Sequence, residues 1–373
     1  MVRSDRKARS DRLGSEGALW SCSGREVDLD ESQHPHISES KSDWRVWANE
    51  LDRSRASDAV AEHLASWPPL QGVVATYLPM RSEISLILLL ADRSIAPVVP
   101  RIETNGEMAM RSYDAERLTH HRLGFDEPDD TAVIVEPEDI DIVLVPGLVF
   151  DRDGGRLGRG RGYYDRFLAS LPPSTTCIGV TTESSIVEQV PTDGHDQRVG
   201  WLATESGVTW VGGPVAPDTE RFMGRAVELG IAPNIEHFPA GTRTSKDAAK
   251  AVGCELGAIA KSLVFMVDDE PVLVICSGDR RVDESKLASF FGAASARSAP
   301  RAMVHDVTGY PAGGTPAVGH DNQLPAVVDT ALGRYGLVWS AGGTLDTVYE
   351  VKLDRLVTAS GARWAEVSME EIR

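Results

Sequence analysis

Three things are scarce in this chain of 373 residues, and each scarcity excludes a class of protein. Cysteine occurs four times, at Cys22, Cys177, Cys254 and Cys276, too widely spaced for a C-x-x-C pair. That excludes a zinc ribbon or a disulfide framework as the organising device and points to a reducing cytoplasm. Positive charge is short: 38 Lys and Arg stand against 56 Asp and Glu, for a net charge of −18. A chain so acidic is not built to wrap DNA or to lie on an anionic membrane, although local basic sites remain open to it. Apolar runs of membrane-spanning length are absent, and no apolar signal-peptide core follows the first basic residues. The length itself exceeds one ordinary domain and predicts two.

What the chain does have is one dense stretch, Asp153 to Leu168, reading DGGRLGRGRGYYDRFL. Arg156, Arg159 and Arg161 alternate with Gly158, Gly160 and Gly162 and run into Tyr163-Tyr164-Asp165, the expected start of a helix. Glycine lets backbone N–H groups approach an anion, arginine offers paired donors, and a helix start favours negative charge. The apolar run DIDIVLVPGLVF ahead of it predicts a buried strand of a parallel sheet. Strand, glycine loop and helix together predict a polyphosphate site. The stretch carries neither the Lys-Ser/Thr ending of a Walker loop nor the dinucleotide glycine spacing.

Residues 1–40 are polar and without periodicity, which predicts a disordered leader. Trp44, Trp47, Leu51, Val60, Leu64 and Trp67 then recur at helical spacing. Lys41 and Arg45 lie four residues apart there, a spacing that also suits ordinary solvated helix charge. Tyr163 and Tyr164 suit stacking on a ring or packing in a core equally well. Two glycines and two prolines in Val211–Glu220 break the pattern, and we place the domain boundary there: 41–211, a linker at 212–219, and 220–373. Beyond it, short helices alternate with strands about a hairpin turn at Asp268–Glu270, which predicts an α+β domain.

The segment VPGLVFDRDGGRLGRGRGYYDRFL resembles the hallmark of the 5-formyltetrahydrofolate cyclo-ligase (methenyltetrahydrofolate synthetase) family. The resemblance implies an α/β domain with a three-layer, mostly parallel sheet. It implies ATP contacts from Lys41 and Arg45 in KSDWR, and from the loop residues Arg156, Gly158, Arg159, Gly160, Arg161, Gly162, Tyr163 and Tyr164. It places Met80, Glu83 and Ser85 against the folate, with Ser85 standing where the family has an acid and Leu86 where it has threonine. Asp165 and Asp196, the latter in QVPTDGHD, are implied as carboxylates for Mg²⁺. The implied reaction phosphorylates the formyl oxygen of 5-formyltetrahydrofolate with ATP, so that ring closure to 5,10-methenyltetrahydrofolate expels phosphate.

In the second half IAKSLVF, SGDRRVDESKL, TGYPAGGTPAVGH, VVDTAL and SAGGT follow in the order that resembles YbaK/ProX-type aminoacyl-tRNA deacylases and the editing domain of prolyl-tRNA synthetases. The resemblance implies hydrolysis of mischarged aminoacyl-tRNA held by its acceptor end. Lys261, at an expected helix-to-strand junction, is the implied essential lysine; Gly313 and Gly314 are the backbone donors, and His320 closes the loop. Taken by itself Lys261 also fits a solvated lysine at a helix end, and His320 fits a turn histidine. GGTPAVGH lacks the Ser-Pro pair that many such enzymes carry after the glycines, so the amino acid removed does not carry over. The alternative for this half is a non-catalytic module that binds acceptor ends or a synthetase.

Overall fold

The computed structural model describes residues 34–370, apart from 81, 93, 123, 240 and 243. Most of the expected leader lies outside the described residues. Two of its last residues touch the protein: the His34 ring stacks on Trp44 at 5.4 Å, and Trp44 Nε1 donates to the His36 carbonyl.

Ser40 opens the first helix, Lys41–Ala48, with a capping box to Asp43. The second helix, Ser57–Ser66, buries Val60, Ala61 and Leu64, the i, i+4 face that periodicity predicted. The first sheet has eight strands. Five are parallel and run in the order Trp201–Thr204, Thr176–Val180, Ile142–Pro146, Gly72–Ala75 and Ile95–Ile102. Antiparallel strands flank them: Gly207–Trp210 on one edge, Met108–Ser112 and Ile134–Val135 on the other. Ile142–Pro146 is central because it is apolar on both faces, with Val143, Leu144 and Val145 wholly buried.

Two expected strands are shorter than their apolar runs. Gly72–Met80 ends as a strand at Ala75, and the residues beyond it leave the sheet towards a cavity. DIDIVLVPGLVF divides at Pro146–Gly147 into a sheet strand and a second strand, Val149–Asp151, in a separate three-stranded sheet with Arg156–Leu157 and Ile186–Val187.

The second half is α+β as expected. Its five-stranded sheet is centred on the hairpin Ala260–Val267 and Glu270–Ser277, turned by Asp268 and Asp269 at φ 45° and 69°. Both positive φ values are those of a two-residue hairpin turn that follows the twist of its strands. A helix expected across SKDAAKAVGCELGAIAKS stops at Val252, where Gly253 turns left-handed at φ 74°. Lys261 is therefore the second residue of a strand and not a helix end.

The linker expected at 212–219 is shorter than drawn, since a helix, Pro217–Glu228, begins within it. That helix joins the halves: one apolar cluster holds Leu64, Val74 and Trp201 together with Phe222, Ala226 and Tyr349. The second half docks on the N-terminal ends of the parallel strands. Just before Ile142, Asp141 accepts from Val73 N at 2.8 Å and pairs with Lys352 at 2.8 Å and Arg355 at 3.4 Å. Ser174 N donates to Glu350, and Thr176 Oγ1 to the Ala232 carbonyl.

Asp141 is 10% exposed, so removing it strands Lys352 and the Val73 N–H and leaves Arg355 only its bond to the Gln71 carbonyl. Asp141→Ala is expected to destabilise the protein by roughly 2–3 kcal/mol, and to make the two halves melt apart in calorimetry. An unchanged, single transition would show that apolar contact alone joins them.

Candidate functional site

At the C-terminal ends of the parallel strands, opposite the docked half, lies a cavity of ≈ 540 Å³. This is the edge where open α/β sheets bind ligands. Three walls meet there: the first helix with Lys41 and Arg45, the segment after Gly72–Ala75 with Tyr77, Met80 and Glu83, and the glycine loop. The loop is shaped by a buried acid that carried no weight in the sequence reading. Asp151, 2% exposed, accepts from Gly155 N at 2.7 Å and Asp153 N at 3.1 Å through one oxygen, and from Val190 N at 3.0 Å through the other. Gly154, at φ 77°, lies where a Cβ would stand 2.0 Å from the Val199 carbonyl oxygen. Only glycine turns there.

Every residue expected to meet nucleotide or metal lines this cavity: Lys41, Arg45, Arg156, Arg159 and Arg161, the glycines between them, Tyr163, Tyr164, Asp165 and Asp196. Met80 and Glu83 line it as well. Ser85 does not: its backbone N–H is taken by Ser57 Oγ at 2.9 Å, on the side of the second helix.

Several cations already face a carboxylate. Arg156, 4% exposed, donates to Asp165 Oδ1 at 2.6 Å. Arg159 donates through Nε and Nη2 to Glu83 Oε1 at 3.1 and 3.0 Å. Lys41 bridges Asp196 at 2.6 Å and Asp193 at 2.8 Å. Arg45 Nε donates to the Gly158 carbonyl at 3.0 Å, and its guanidinium passes close over Gly160. The helix after the loop, Tyr163–Leu168, has only six residues, so the arginines and not its dipole set the local potential.

Burial pulls against the charge of both Lys41 and Asp196. The hydrogen bonds between them, with those of Asp193, outweigh it, so the Lys41 ammonium lies above and the Asp196 carboxyl below its ordinary value. Burial first, then the charge of Glu83, pushes the Tyr164 hydroxyl up, against the pull of Arg156. Its oxygen is buried without a hydrogen-bond partner, as is Arg156 Nε. Two further residues were missed. Asp193 shares Lys41 with Asp196, and the repeated acid in TDGHD was its only signal. Arg53, 2% exposed, donates to the Ala48 and Leu148 carbonyls, and nothing in its local sequence marks it as buried.

In the second half the expected residues have separate partners. Lys261 Nζ donates to the Arg280 carbonyl. Gly314 presses on the backbone of Thr344, and its N–H, expected to be a free donor, is given to the Pro311 carbonyl at 2.9 Å because the loop turns back on itself there. His320 Nε2 donates to the Pro316 carbonyl at 2.8 Å; burial, with Arg225 nearby, holds its pKa below the ordinary value despite that carbonyl.

The geometry defines an α/β domain with a cavity lined by five cations, followed by an α+β domain. Residues 41–205 match the model of the 5-formyltetrahydrofolate cyclo-ligase family, and residues 239–359 that of the aminoacyl-tRNA editing domain. The cyclo-ligase of Mycolicibacterium smegmatis is 30% identical over 159 residues, 39% of this chain and 81% of that protein. Proline–tRNA ligase of Citrifermentans bemidjiense is 29% identical over 144 residues, 38% of this chain but 25% of the ligase. Among solved structures, the 5,10-methenyltetrahydrofolate synthetase of Aquifex aeolicus is 30% identical with a TM-score of 0.40, covering 48% of this chain and 89% of that one. The chain belongs to the 5-formyltetrahydrofolate cyclo-ligase family, and its second half matches the aminoacyl-tRNA editing domain.

The bridge between Lys41 and Asp196 gives a pH prediction. The depressed Asp196 contributes stability above its unfolded pKa and loses it as pH falls through the lower folded one. The raised Lys41 contributes below its unfolded pKa and loses it as pH rises through the higher folded one. Asp196→Asn is expected to lower stability by at most about 1 kcal/mol near neutrality. In urea unfolding the difference should shrink to nothing in strong acid; a pH-independent difference would rule the bridge out as its cause.

Proposed function

We propose that the first domain, residues 41–211, converts 5-formyltetrahydrofolate to 5,10-methenyltetrahydrofolate in the cytoplasm, using ATP and Mg²⁺. The second domain, 220–373, hydrolyses mischarged aminoacyl-tRNA held by its acceptor end. The observation that carries the first reading is the cavity in which five cations, Lys41, Arg45, Arg156, Arg159 and Arg161, converge on one glycine loop.

The donor set suits a polyphosphate. Arg156 Nε is buried without a partner, a cost that an anion drawing the guanidinium towards the cavity would relieve. Arg156 and Arg159 present planar donors to phosphate oxygens, and Lys41 and Arg45 supply charge from the opposite wall. Met80 and Glu83 face the remaining space, where Glu83 would accept from N–H groups of a pterin. The carboxylates fit magnesium too. Among the described residues no three His, Cys, Asp or Glu side chains gather to hold a metal ion. Magnesium, which keeps most of its waters, needs only one or two carboxylates and the substrate phosphates. Asp165 and Asp196 would hold it, each through the oxygen that its cation leaves over. Bound there, the ion neutralises charge on the transferring phosphoryl group. The side chains then align two substrates and exclude water, with no covalent nucleophile required.

For the second domain the aminoacyl ester is already activated. A held water, the Gly313 N–H group for the developing oxyanion and the Lys261 ammonium for the terminal nucleotide would carry the reaction, the Gly314 N–H being already given to the Pro311 carbonyl.

Asp165→Asn is expected to cut ATP-dependent methenyltetrahydrofolate formation at least about 100-fold while leaving the circular dichroism spectrum intact. Near-normal turnover at limiting magnesium would remove Asp165 from the site. In a panel of mischarged tRNAs, Lys261→Ala is expected to lose most deacylation, and Lys261→Arg to recover little, because a planar guanidinium is a differently shaped cation. Unchanged hydrolysis by Lys261→Ala refutes its role. No hydrolysis by the unmodified protein favours the binding-module alternative.

A further inference from the structure

The loop Gly309–Asp321 carries Gly313, Gly314 and His320, and it is held from outside itself. The helix Pro217–Glu228 lies in the stretch between the two family matches, which end at 205 and resume at 239. Arg221 and Arg225, one turn apart on it, reach the two ends of the loop. Arg225 Nη1 donates to the Gly319 carbonyl at 3.1 Å and to Asp321 Oδ1 at 2.6 Å. Arg221 Nη2 donates to the Gly309 carbonyl, and its guanidinium lies 4.7 Å over the Tyr310 ring. Tyr310, wholly buried, returns a hydrogen bond from its hydroxyl to the Gly319 carbonyl at 3.0 Å.

The loop's own ends are drawn together beneath these arginines. Asp321 N donates to the Thr308 carbonyl at 3.0 Å, and the Asp321 carboxylate lies where a Cβ on Gly309 would be. The same helix braces the neighbouring loop, Gly342–Thr347. Gly343 passes so close that a Cβ would stand 2.8 Å from the Asp218 carbonyl oxygen, and Thr219 Oγ1 lies 3.2 Å from Thr347 Oγ1. The two loops meet where Gly314 packs on Thr344. One helix thus fixes both partners of that contact.

We propose that Arg225, with Arg221, is a positioning residue: it sets the shape of the loop Gly309–Asp321 and through that shape the rate of ester hydrolysis. The proposal rests on the editing reading of the second domain. Arg225 touches none of Lys261, Gly313 or Gly314 by any hydrogen bond described above, so its effect travels through Gly319 and Asp321. Such an arginine should act on the chemical step more than on capture of the tRNA, because backbone donors are effective only when aimed at the developing oxyanion.

The test compares Arg225→Ala, Arg225→Lys and Asp321→Asn in the full chain. Three readouts are taken: kcat and KM for deacylation of mischarged tRNA, amide hydrogen exchange across 309–321, and the cyclo-ligase rate. Arg225→Ala is expected to lower kcat about tenfold with KM nearly unchanged, to speed exchange in the loop and to leave the cyclo-ligase rate as it was. Arg225→Lys should recover part of the loss, since an ammonium restores the bond to Asp321 but not the second bond to Gly319. Asp321→Asn should resemble Arg225→Lys. Unaltered hydrolysis in Arg225→Ala, or loss of both enzyme activities together, overturns the proposal. Should the unmodified protein hydrolyse no ester, the editing reading falls by itself; faster loop exchange in Arg225→Ala then still supports the hold on the loop, and unchanged exchange overturns it.

Discussion

One buried carboxylate, Asp151, sets the geometry of the ligase site. Its two oxygens satisfy three backbone N–H groups from two parts of the chain, Asp153 and Gly155 at the start of the glycine loop and Val190 ahead of Asp193 and Asp196. An acid that is 2% exposed persists only when its oxygens are filled in this way. Asp151 thereby ties the start of the glycine loop to the segment 190–196, a tie reinforced where Val199 N donates to the Gly154 carbonyl and Arg198 to the Asp153 carbonyl. Arg156 and Asp165 can then pair within the loop, and Lys41 of the first helix can reach Asp196, at hydrogen-bond distance.

The site is close to charge balance before anything enters it. Arg156, Arg159 and Lys41 each hold a carboxylate, so a polyphosphate bound as proposed would exchange partners with them instead of meeting bare charge. Charge-assisted hydrogen bonds are worth about 1.5–3 kcal/mol each, so each exchange returns most of what it breaks. Tight binding would then depend on how many of these pairs one ligand takes over at once. This is a means of discriminating polyphosphates from simple anions, which can offer too few oxygens to take over all the pairs.

Much of the ligase site was legible in sequence because its parts are local: the arginines, glycines and Asp165 lie within thirteen consecutive residues, 153–165. Fold class was legible for a related reason, since a run apolar on both faces, such as Ile142–Val145, has its place only inside a parallel sheet. What escaped was set by distant contacts. Asp151 and Arg53 look like surface charges until the chain folds over them. Ser85 stands in line with Glu83 in sequence, but the turn after Met80 directs it to Ser57. The position of Lys261 was misread because alanine-rich periodicity runs through Gly253, whose left-handed conformation ends the helix. The arginine pair on Pro217–Glu228 was invisible, because nothing near it in sequence names the loop 90 residues on.

The second half docks on the N-terminal ends of the parallel strands, through Asp141, Ser174 and Thr176, and the ligase cavity is at their other ends. A sheet's two ends are separated by the length of its strands, and nothing that occupies one need shade the other. On the proposed function, a macromolecule seated on the second half would come and go without closing the mouth through which small molecules reach the first. Joining the two in one polypeptide fixes their numbers at one to one and leaves their traffic independent.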